Sequence, residues 1–502
     1  MFDPPPIDDF IPLGEVIAAT ARAAPAKRAA EVETDALTYA ALDALMDRVG
    51  AALQRDGAAP GATIAICGET SLAYLAVFLG AIRIGVAVAP LPPSATPAAL
   101  PAMLEDCRAH LLFADATTRA LFDRPAVALD DLAAWLAPAG TRPAPVQIRP
   151  EAVFNTIYSS GTTGAPKGID QSHGMRFMHT RRRIVAGYDA DAVTLISTPL
   201  YSNTTLVAVF PTLAGGGRVV MMKKFDARRF LEIAERERVT HAMLVPVQYA
   251  RLLAHPDFDR FDLSSFRMKL ATSAPFAAAL KREVLARWPG GLAEYYGMTE
   301  GGGTCVLLAH ERPDKLHTVG APVEGHDIRL IDEQGREVAM GEAGEIVGRS
   351  PSMMNGYRNA PEKTRACEWR DADGRSFIRT GDIGRFDVDG FLTLLDRAKD
   401  MIISGGFNIF PSDIEAALLQ RPEVHEAAVV GAPSAAWGET PVGFVVLQEG
   451  AHADAEALRA EVNATLGKTQ RLAALRIVEA LPRSAIGKVL KRELRERAGA
   501  MP

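Results

Sequence analysis

The stretch Tyr158–Gly168, with the sequence YSSGTTGAPKG, carries residue types that suit an anion-binding loop. Its small residues let a backbone approach an anion closely, its hydroxyls can donate hydrogen bonds, and its lysine supplies a positive charge. It is not a Walker loop, because Pro166 precedes Lys167 and Gly168 follows it, where that motif needs Gly and then Ser or Thr. Pro166 has no amide proton and Gly168 has no hydroxyl for Mg²⁺. The sequence therefore predicts a phosphate-binding loop whose metal is held by another part of the chain.

Three further polar motifs follow, and each has an ordinary structural interpretation. YGMTE at 296–300 places an aromatic ring, a turn glycine, a hydroxyl and a carboxylate in one short segment. The same pattern is typical of a strand that ends in a turn. RTGD at 379–382 is equally well a reverse turn, and DRAKD at 396–400 a charged surface segment. Taken singly, none of the three identifies a site.

Together, the order and wording of the motifs are much more specific. YSSGTTGAPKG, YGMTE, RTGD, the run DRAKDMIISGGFNIFPSDIE and a near-terminal Gly487–Lys488 pair resemble the adenylate-forming (AMP-binding) superfamily, in its branch of acyl- and aryl-CoA synthetases. The resemblance extends from about Thr38 to Arg495. It implies an enzyme that joins a carboxylic acid to the α-phosphate of ATP and then transfers the acyl group to a thiol.

The resemblance implies an ATP site built from several motifs. Lys167 and the loop hydroxyls would bind the β- and γ-phosphates, Thr299 would donate to the α-phosphate, and Glu300 would bind Mg²⁺. Tyr296 would stack on adenine, and Asp382 would accept hydrogen bonds from the ribose hydroxyls. The set implied for ATP and AMP binding is Ser159, Ser160, Gly161, Thr162, Thr163, Gly164, Lys167, Ser273, Ala274, Tyr296, Gly297, Thr299, Asp382, Arg397 and Lys488.

Lys488 is the residue that the resemblance marks first as catalytic, although the sequence around it also reads as a basic terminal helix. It would bridge the incoming carboxylate and the α-phosphate. Ile486 departs from the family, where Ser or Thr is common at that place. Lys399 would be the hinge, and Gly405 and Gly406 would approach the pantetheine arm of coenzyme A, although SGGFN is also a hairpin-turn sequence. The implied catalytic set is Lys488, Thr299, Glu300 and Lys167.

The residues that bind the acid are less clearly marked. Many CoA-forming relatives carry a histidine after a PLY or PLF element, and Ser202 takes that place in PLYSNTTL. The run Gly301–Gly303 either leaves room for a bulky or ring-bearing acid or is a glycine loop with no ligand role. Our candidates for the acid pocket are Tyr201, Ser202, Thr204, Thr205, Ala271 and Thr272.

Hydrophobic periodicity predicts the elements that position these motifs. Apolar residues recur three and four positions apart after Thr38, which indicates a helix with Thr38 as its N-cap. The apolar region 72–93 contains Arg83, Gly85 and Pro90, so it favours a buried helix capped near Thr70 and Ser71 and a short strand at 86–89 over a membrane span. Short β-rich runs alternate with helical stretches along most of the chain, which predicts parallel sheets covered by helices.

The predicted fold class is therefore α/β, with a change of pattern near the C-terminal end. We expect a large N-terminal adenylate-forming domain of layered parallel sheets and helices at residues 1–396, which binds ATP and the acid. A hinge at 397–400 would join it to a small, mobile C-terminal α+β domain at 401–502. Ser412 and Glu415 form a candidate capping box for the first helix of that domain.

Bulk composition narrows the class of protein. A chain of 502 residues is too long for a single core, and 48% hydrophobic with 23% charged residues is ordinary for a soluble protein. The net charge of -6 gives no general attraction to nucleic acid or to anionic lipid. Four widely spaced cysteines and an acidic, proline-rich beginning favour a cytoplasmic protein with no membrane span and no nucleic-acid partner. A homodimer is left open.

The predicted function is that of an AMP-forming acid–CoA ligase. ATP, a fatty, aryl or alicyclic carboxylic acid and coenzyme A would give acyl-CoA, AMP and diphosphate, with Mg²⁺ as the metal. One alternative is a stand-alone adenylation enzyme that loads a carrier protein. PLYSNTTL has no acidic residue to meet an amino group, which disfavours an amino-acid substrate. The other alternative is a non-catalytic nucleotide-binding regulatory relative, which the presence of Lys488, Glu300 and Asp382 disfavours.

Overall fold

The computed structural model divides the chain into two compact units. One unit comprises Met1–Ile328 with Val347–Arg379, and the other comprises Arg329–Ile346 with Thr380–Pro502. The structure describes residues 9–95, 99–159, 167–181, 186–397, 400–404, 407–434, 437–467, 470–483 and 489–499. Within these ranges, residues 159, 397, 403, 407, 408 and 438 are described by their backbone only. The second unit thus includes residues before the predicted hinge, and the predicted domain boundary at 397–400 stays a prediction.

The first unit contains a large, mainly parallel sheet, which has nine strands within the described ranges. In spatial order the strands are Ala321–Pro322, Thr304–Leu308, Gly291–Gly297, Met268–Ala271, His241–Leu244, Val193–Ile196, Arg218–Met221, Arg28–Val32 and Asp35–Thr38. The strands from Gly291–Gly297 to Arg28–Val32 are parallel to their neighbours, and the strands at both edges are antiparallel.

A second sheet of the same unit carries the hydroxyl-rich loop. Its seven described strands are, in order, Gly356–Tyr357, Lys167–Ser172, Val153–Ser159, Ala87–Leu91, Thr63–Cys67, Leu112–Ala114 and Val127–Ala128. The strands from Val153–Ser159 to Val127–Ala128 are parallel, whereas Lys167–Ser172 and Gly356–Tyr357 are antiparallel to their neighbours. The mixed α/β architecture predicted from the sequence is confirmed.

Helices supply the apolar surfaces that bury these sheets. The described α-helices of the first unit are Leu13–Ala23, Tyr39–Arg55, Leu72–Arg83, Ala99–Asp106, His173–Arg181, Asn203–Ala214, Ala227–Arg236, Pro246–Leu253, Ala278–Arg287 and Pro361–Ala366. Short 3₁₀ helices lie at Arg119–Leu121, Leu132–Ala134, Phe258–Arg260 and Pro313–Lys315. Three buried rings, those of Phe78, Phe154 and Phe210, pack together with centroids 5.3–5.9 Å apart and join two helices to the loop-bearing sheet.

Two further sheets complete the described structure. One consists of the strands Asp327–Ile331, Gly344–Arg349, Ser376–Phe386, Glu368–Arg370 and Leu392–Arg397, and the chain passes between the two units within the first three of these strands. The other lies within the second unit and consists of Phe407–Ile409, Ile402–Ser404, Gly438–Leu447, Val424–Ser434 and Ala474–Ile477. The helices Pro411–Leu419, Ala455–Thr465 and Lys491–Gly499 also belong to the second unit. This combination is the small α+β arrangement that the sequence predicted.

Three of the predicted helices are present, and two of their predicted caps are confirmed while the third is wrong. The Thr38 side chain accepts a hydrogen bond from the Ala41 amide at 3.2 Å, and Ser71 does the same for Tyr74 at 3.1 Å. The helix Pro411–Leu419 is present, but Ser412 and Glu415 do not form the predicted capping box. The Ser412 amide donates instead to Asp396 Oδ2 at 3.2 Å, and Glu415 accepts from the Val429 amide of a neighbouring strand at 2.8 Å. A tertiary partner has replaced the local one.

No α-helix in the described part of the chain has both the length and the apolar character required to cross a bilayer. The apolar region 72–93 forms the buried helix Leu72–Arg83 and the buried strand Ala87–Leu91.

His241 should make the first unit sensitive to acid. Its ring is fully buried, donates from Nε2 to the Ala186 carbonyl at 2.9 Å and stacks on Tyr188. Burial lowers the pKa of His241 from 6.5 to about 4. The unfolded chain therefore binds this proton between pH 6.5 and 4 while the folded chain does not, so stability falls as the pH drops through this window, by on the order of 3 kcal/mol. We expect His241→Gln to flatten that part of the curve.

Thermal unfolding measured from pH 7 to pH 4 tests this prediction. His452 is exposed, so His452→Gln serves as the matched control and should leave the wild-type profile unchanged. Parallel profiles for wild type and His241→Gln would contradict the assignment.

Candidate active site

The hydroxyl-rich loop connects two paired strands. Val153–Ser159 and Lys167–Ser172 run antiparallel, and Ser159 pairs with Lys167 where the loop leaves and re-enters the sheet. Tyr158 is buried and donates to Asp106 at 2.7 Å, so the first residue of the motif is structural. The Ser159 side chain and the loop residues predicted to bind phosphate, Ser160, Gly161, Thr162, Thr163 and Gly164, lie outside the described residues. Their roles stay predictions.

Lys167 and Glu300 both contact Tyr357. The Lys167 ammonium is 5.4 Å from the centroid of Tyr357, and the Tyr357 hydroxyl donates to Glu300 Oε1 at 2.8 Å. Gly356–Tyr357 reaches this position because it is an edge strand that pairs with Lys167–Ser172. Burial and the Glu300 charge raise the pKa of Tyr357, so its hydroxyl remains a donor. The structure therefore brings together two predicted site residues through a third that sequence reasoning missed.

The end of the YGMTE segment and the residue after it, Gly301, are held through three successive backbone carbonyls. The Thr299 carbonyl accepts from Gln171 Nε2 at 2.7 Å, the Glu300 carbonyl from the Met354 amide at 2.9 Å, and the Gly301 carbonyl from Ser350 Oγ at 2.7 Å. Tyr296 and Gly297 end the preceding strand. These hydrogen bonds fix the backbone positions of Thr299 and Glu300, and the side chains of both residues are half-buried.

Packing within the protein accounts for the three glycines that follow. Gly301 has φ +78°, and a Cβ there would overlap the Ser352 carbonyl oxygen. A Cβ on Gly302 would lie 2.8 Å from the Ile378 Cβ, and one on Gly303, at φ +110°, would lie 2.9 Å from Ile328 Cγ1. Of the two interpretations offered by the sequence, the structural one accounts for this run without a ligand.

Gly301→Ala should destabilise the first unit severely. Gly374 has the same φ, +78°, with open space around its Cα, so Gly374→Ala isolates the backbone strain alone. We expect Gly374→Ala to cost about 1–2 kcal/mol and Gly301→Ala at least about 2 kcal/mol more, because the Ser352 backbone must also move. Chemical denaturation of both variants measures the difference. Equal losses would mean that the Ser352 contact does not constrain this position.

A hydroxyl pair connects the candidate adenine and acid segments. Thr204 Oγ1 and Ser273 Oγ share a hydrogen bond of 2.7 Å, and Ser273 has φ +78°, a strained conformation for a residue with a side chain. Thr272 donates to the Tyr295 carbonyl at 2.9 Å. Thr205 is fully buried and donates to the Pro199 carbonyl at 2.6 Å.

The remaining acid-pocket candidates lie at the ends of elements in the same unit. Ser202 directly precedes the helix Asn203–Ala214, and Tyr201 precedes Ser202. Ala271 ends the strand Met268–Ala271, with Ala274 three residues beyond. The structure thus directly joins Thr204 to Ser273 and leaves the pocket assignment of the others a prediction.

The predicted ribose residues are neighbours in the second unit. Asp382 and Arg397 pair directly across two antiparallel strands, and the Asp382 amide donates to Thr380 Oγ1 at 3.0 Å. The side chain of Arg397 is outside the described part of the structure. Local sequence spacing alone does not predict the cross-strand register of these two residues.

Four predicted residues, Lys399, Gly405, Gly406 and Lys488, lie outside the described residues. Around Lys488, Arg483 and Val489 form an antiparallel bridge, and the helix Lys491–Gly499 follows. Lys491 in that helix forms an ion pair with Glu415 at 2.8 Å, so this nearby lysine has a structural partner.

Comparison with known proteins gives two family matches. Residues 17–358 match the AMP-binding enzyme family, and residues 413–488 match the AMP-binding enzyme C-terminal domain. Feruloyl-CoA synthase from an Amycolatopsis species is 34% identical over 493 residues, which cover 95% of this chain and 97% of that protein. Fatty acid–[acyl-carrier-protein] ligase ScoC from Streptomyces coeruleorubidus is 32% identical over 479 residues, covering 92% of this chain and 91% of ScoC.

Solved structures agree with these relatives. The crystal structure of ATP-bound MatB from Rhodopseudomonas palustris has a TM-score of 0.88 and 29% identity, and the likeness covers 97% of this chain and 99% of MatB. The family predicted from the five motifs is confirmed. The chain belongs to the AMP-binding enzyme family, within the acyl- and aryl-CoA ligase branch of the adenylate-forming superfamily.

Proposed function

We propose that this protein is an AMP-forming acid–CoA ligase that makes acyl-CoA, AMP and diphosphate through an acyl-adenylate. The observation that carries the proposal is the arrangement of Lys167, Tyr357 and Glu300 at the base of the hydroxyl-rich loop. A cation and an oriented carboxylate that share one tyrosine suit a polyphosphate that arrives with a divalent metal. Thr299 lies next to Glu300 and can donate to the same nucleotide.

In the first half-reaction, a carboxylate oxygen of the acid attacks the α-phosphorus of ATP. The bond from that phosphorus to the bridging oxygen breaks, and diphosphate leaves with the electron pair. Lys167 would neutralise the leaving group, and Thr299 would donate to the α-phosphoryl oxygen. Lys488 would contact both the acid and the α-phosphate, where negative charge builds up.

Mg²⁺ fits the residues on this side of the first unit. It binds proteins through one or two carboxylates and completes its shell with water and phosphate oxygens. Glu300 offers such a carboxylate, and the Tyr357 hydroxyl orients it. When bound, the metal would supply charge neutralisation at the polyphosphate. Glu300 is the residue that would hold it.

In the second half-reaction, the sulfur of coenzyme A attacks the acyl carbon. The carbon–oxygen bond to AMP breaks, the thiol loses its proton, and AMP leaves as an anion. Gly405 and Gly406 would line the path of the pantetheine arm, and the small domain would turn about Lys399 between the two halves. Asp382 and Arg397 would hold the ribose, and their direct cross-strand pairing supports a shared role.

The proposed acid is fatty, aryl or alicyclic. Support for an aryl acid comes from the relative named as a feruloyl-CoA synthase, and support for a fatty acid from the fatty acid–[acyl-carrier-protein] ligase. The pocket would be bounded by the Thr204–Ser273 hydrogen bond. The fatty acid–[acyl-carrier-protein] ligase also favours the alternative in which the thiol belongs to a carrier protein. Adenylation of the acid is the first step whether the thiol acceptor is coenzyme A or a carrier protein.

Diphosphate release with a panel of aliphatic, aryl and alicyclic acids tests the proposal. Each acid is supplied with ATP and Mg²⁺, with and without coenzyme A, and thioester is detected by mass. We expect acid-dependent diphosphate release and a CoA thioester for one class of acid. A thioester formed only with a carrier protein would overturn the CoA assignment, and no acid-dependent release with any class would overturn adenylation itself.

A further inference from the structure

A buried polar network lies beneath the candidate site, on the helix that follows the loop-bearing hairpin. Arg176 is 1% exposed, and its guanidinium lies 5.9 Å from the Phe154 ring and 5.6 Å from the Phe210 ring. Arg176 Nε donates to Asn155 Oδ1 at 2.9 Å, and one of its terminal nitrogens donates to Gln171 Oε1. The described hydrogen-bond partners of this cation are therefore neutral amide oxygens.

These bonds determine which way the Gln171 amide faces. Gln171 Oε1 accepts from Arg176 and also from Asn155 Nδ2, at 3.1 Å. A flipped amide would turn its NH₂ group toward two donors and its oxygen toward a carbonyl oxygen, which loses all three hydrogen bonds. Gln171 Nε2 therefore points to the Thr299 carbonyl and donates to it at 2.7 Å.

The stability of the core does not require this network. Burying a charge is costly even where the faces of two aromatic rings offset part of the cost, and a second terminal nitrogen of Arg176 has no hydrogen-bond partner among the described residues. Apolar side chains of similar size in place of the whole network would fill this space at a lower cost. The network does, however, connect the strand that begins at Lys167 with the carbonyl of Thr299, two elements that both carry candidate site residues.

We infer that Arg176, Asn155 and Gln171 form a positioning unit that holds the Thr299–Glu300 segment at a fixed distance from the strand of Lys167. This inference rests on the proposed function, because it assigns the unit to adenylation. Arg176 acts through Gln171, and Gln171 acts through the Thr299 backbone, so neither touches the reacting atoms. A displacement of about 1 Å in a positioned donor is enough to reduce a rate by ~10²-fold.

Gln171→Glu separates positioning from folding. The new carboxylate keeps an acceptor for Arg176 and Asn155 and forms an ion pair with the guanidinium, so the fold should be retained. It cannot donate to the Thr299 carbonyl, and its second oxygen faces that carbonyl instead. In acid-dependent ATP–diphosphate exchange we expect kcat to fall by 10- to 100-fold while KM for ATP changes less than threefold.

Two companion variants complete the experiment. Gln171→Met removes the donor without adding charge and should give the same split between kcat and KM, so it replaces Gln171→Glu if that variant does not fold. Thr156→Val is the matched control, because it removes a buried hydroxyl of the same hairpin that bonds to Asp170, at 2.6 Å, and not to the Thr299 segment. It should shift the thermal midpoint without changing kcat.

The outcomes distinguish this inference from the proposed function. If the wild type catalyses exchange and Gln171→Glu and Gln171→Met match it, the positioning unit is wrong while adenylation stands. A fall in kcat that Thr156→Val reproduces at an equal loss of thermal midpoint would also overturn the unit, because it would follow stability alone. If the wild type shows no exchange with any acid class, the proposed function fails first.

Discussion

Lys488→Ala should abolish adenylation and leave thioester formation from a supplied acyl-adenylate largely intact. The proposed lysine neutralises charge on the α-phosphate and the acid only while the first bond forms, so its loss should lower the adenylation rate by ~10²–10³-fold. The second half-reaction uses a different set of contacts and should change by less than about threefold. Single-turnover assays started from ATP and acid, or from synthetic acyl-adenylate and coenzyme A, measure the two halves separately.

Lys491→Ala is the matched control for this experiment. Lys491 lies three residues further along and forms an ion pair with Glu415 at 2.8 Å, so its loss should affect the stability of the second unit and neither half-reaction. An equal loss in both halves for Lys488→Ala would argue against a lysine that serves adenylation alone, and thus against a domain that alternates between two roles.

Glu300→Gln should have the second large effect. The amide oxygen can still accept from the Tyr357 hydroxyl, so the local geometry is retained while the negative charge is lost. If Glu300 holds the metal, adenylation should fall by ~10²–10³-fold, and more Mg²⁺ should be needed to reach half of the remaining rate. ATP–diphosphate exchange across a Mg²⁺ titration measures both quantities.

Tyr357→Phe separates the effect of the Glu300 charge from the effect of the orientation of its carboxylate. It keeps the Glu300 carboxylate and the ring that Lys167 approaches, and removes only the hydrogen bond to Glu300. We expect a loss of at least about tenfold, since one oriented hydrogen bond to a charged group contributes about 1.5–3 kcal/mol. Glu300→Gln with the Mg²⁺ dependence of the wild type would rule out Glu300 as the metal ligand.

Contacts between residues that are close along the chain could be predicted from the sequence. Contacts between residues that are far apart along the chain could not. The caps at Thr38 and Ser71 were predictable because the hydroxyl and the amide that it caps are three residues apart. The same reasoning failed at Glu415, whose partner is the Val429 amide on another element. A residue that is free to cap locally can be taken by a better-placed tertiary partner, and no local pattern reveals this.

Tyr357 illustrates the same limit at the site itself. It is 57 residues from Glu300 and 190 from Lys167 along the chain. It reaches both because Gly356–Tyr357 adds to the edge of the sheet next to Lys167–Ser172. The only local signal was a tyrosine after a glycine, which by itself is too common to identify a site.

The sequence by itself determined the family, the α/β class and the chemistry of each motif, because residue types and short spacings are local properties that need no fold to be read. The tertiary structure alone decided which motifs meet. It joined Lys167 to Glu300 through Tyr357, and Gln171 to the Thr299 carbonyl. It also accounted for the Gly301–Gly303 run by the packing of nearby backbone and side chains. These contacts depend on strand order and register, which arise only when distant segments bury their apolar faces together.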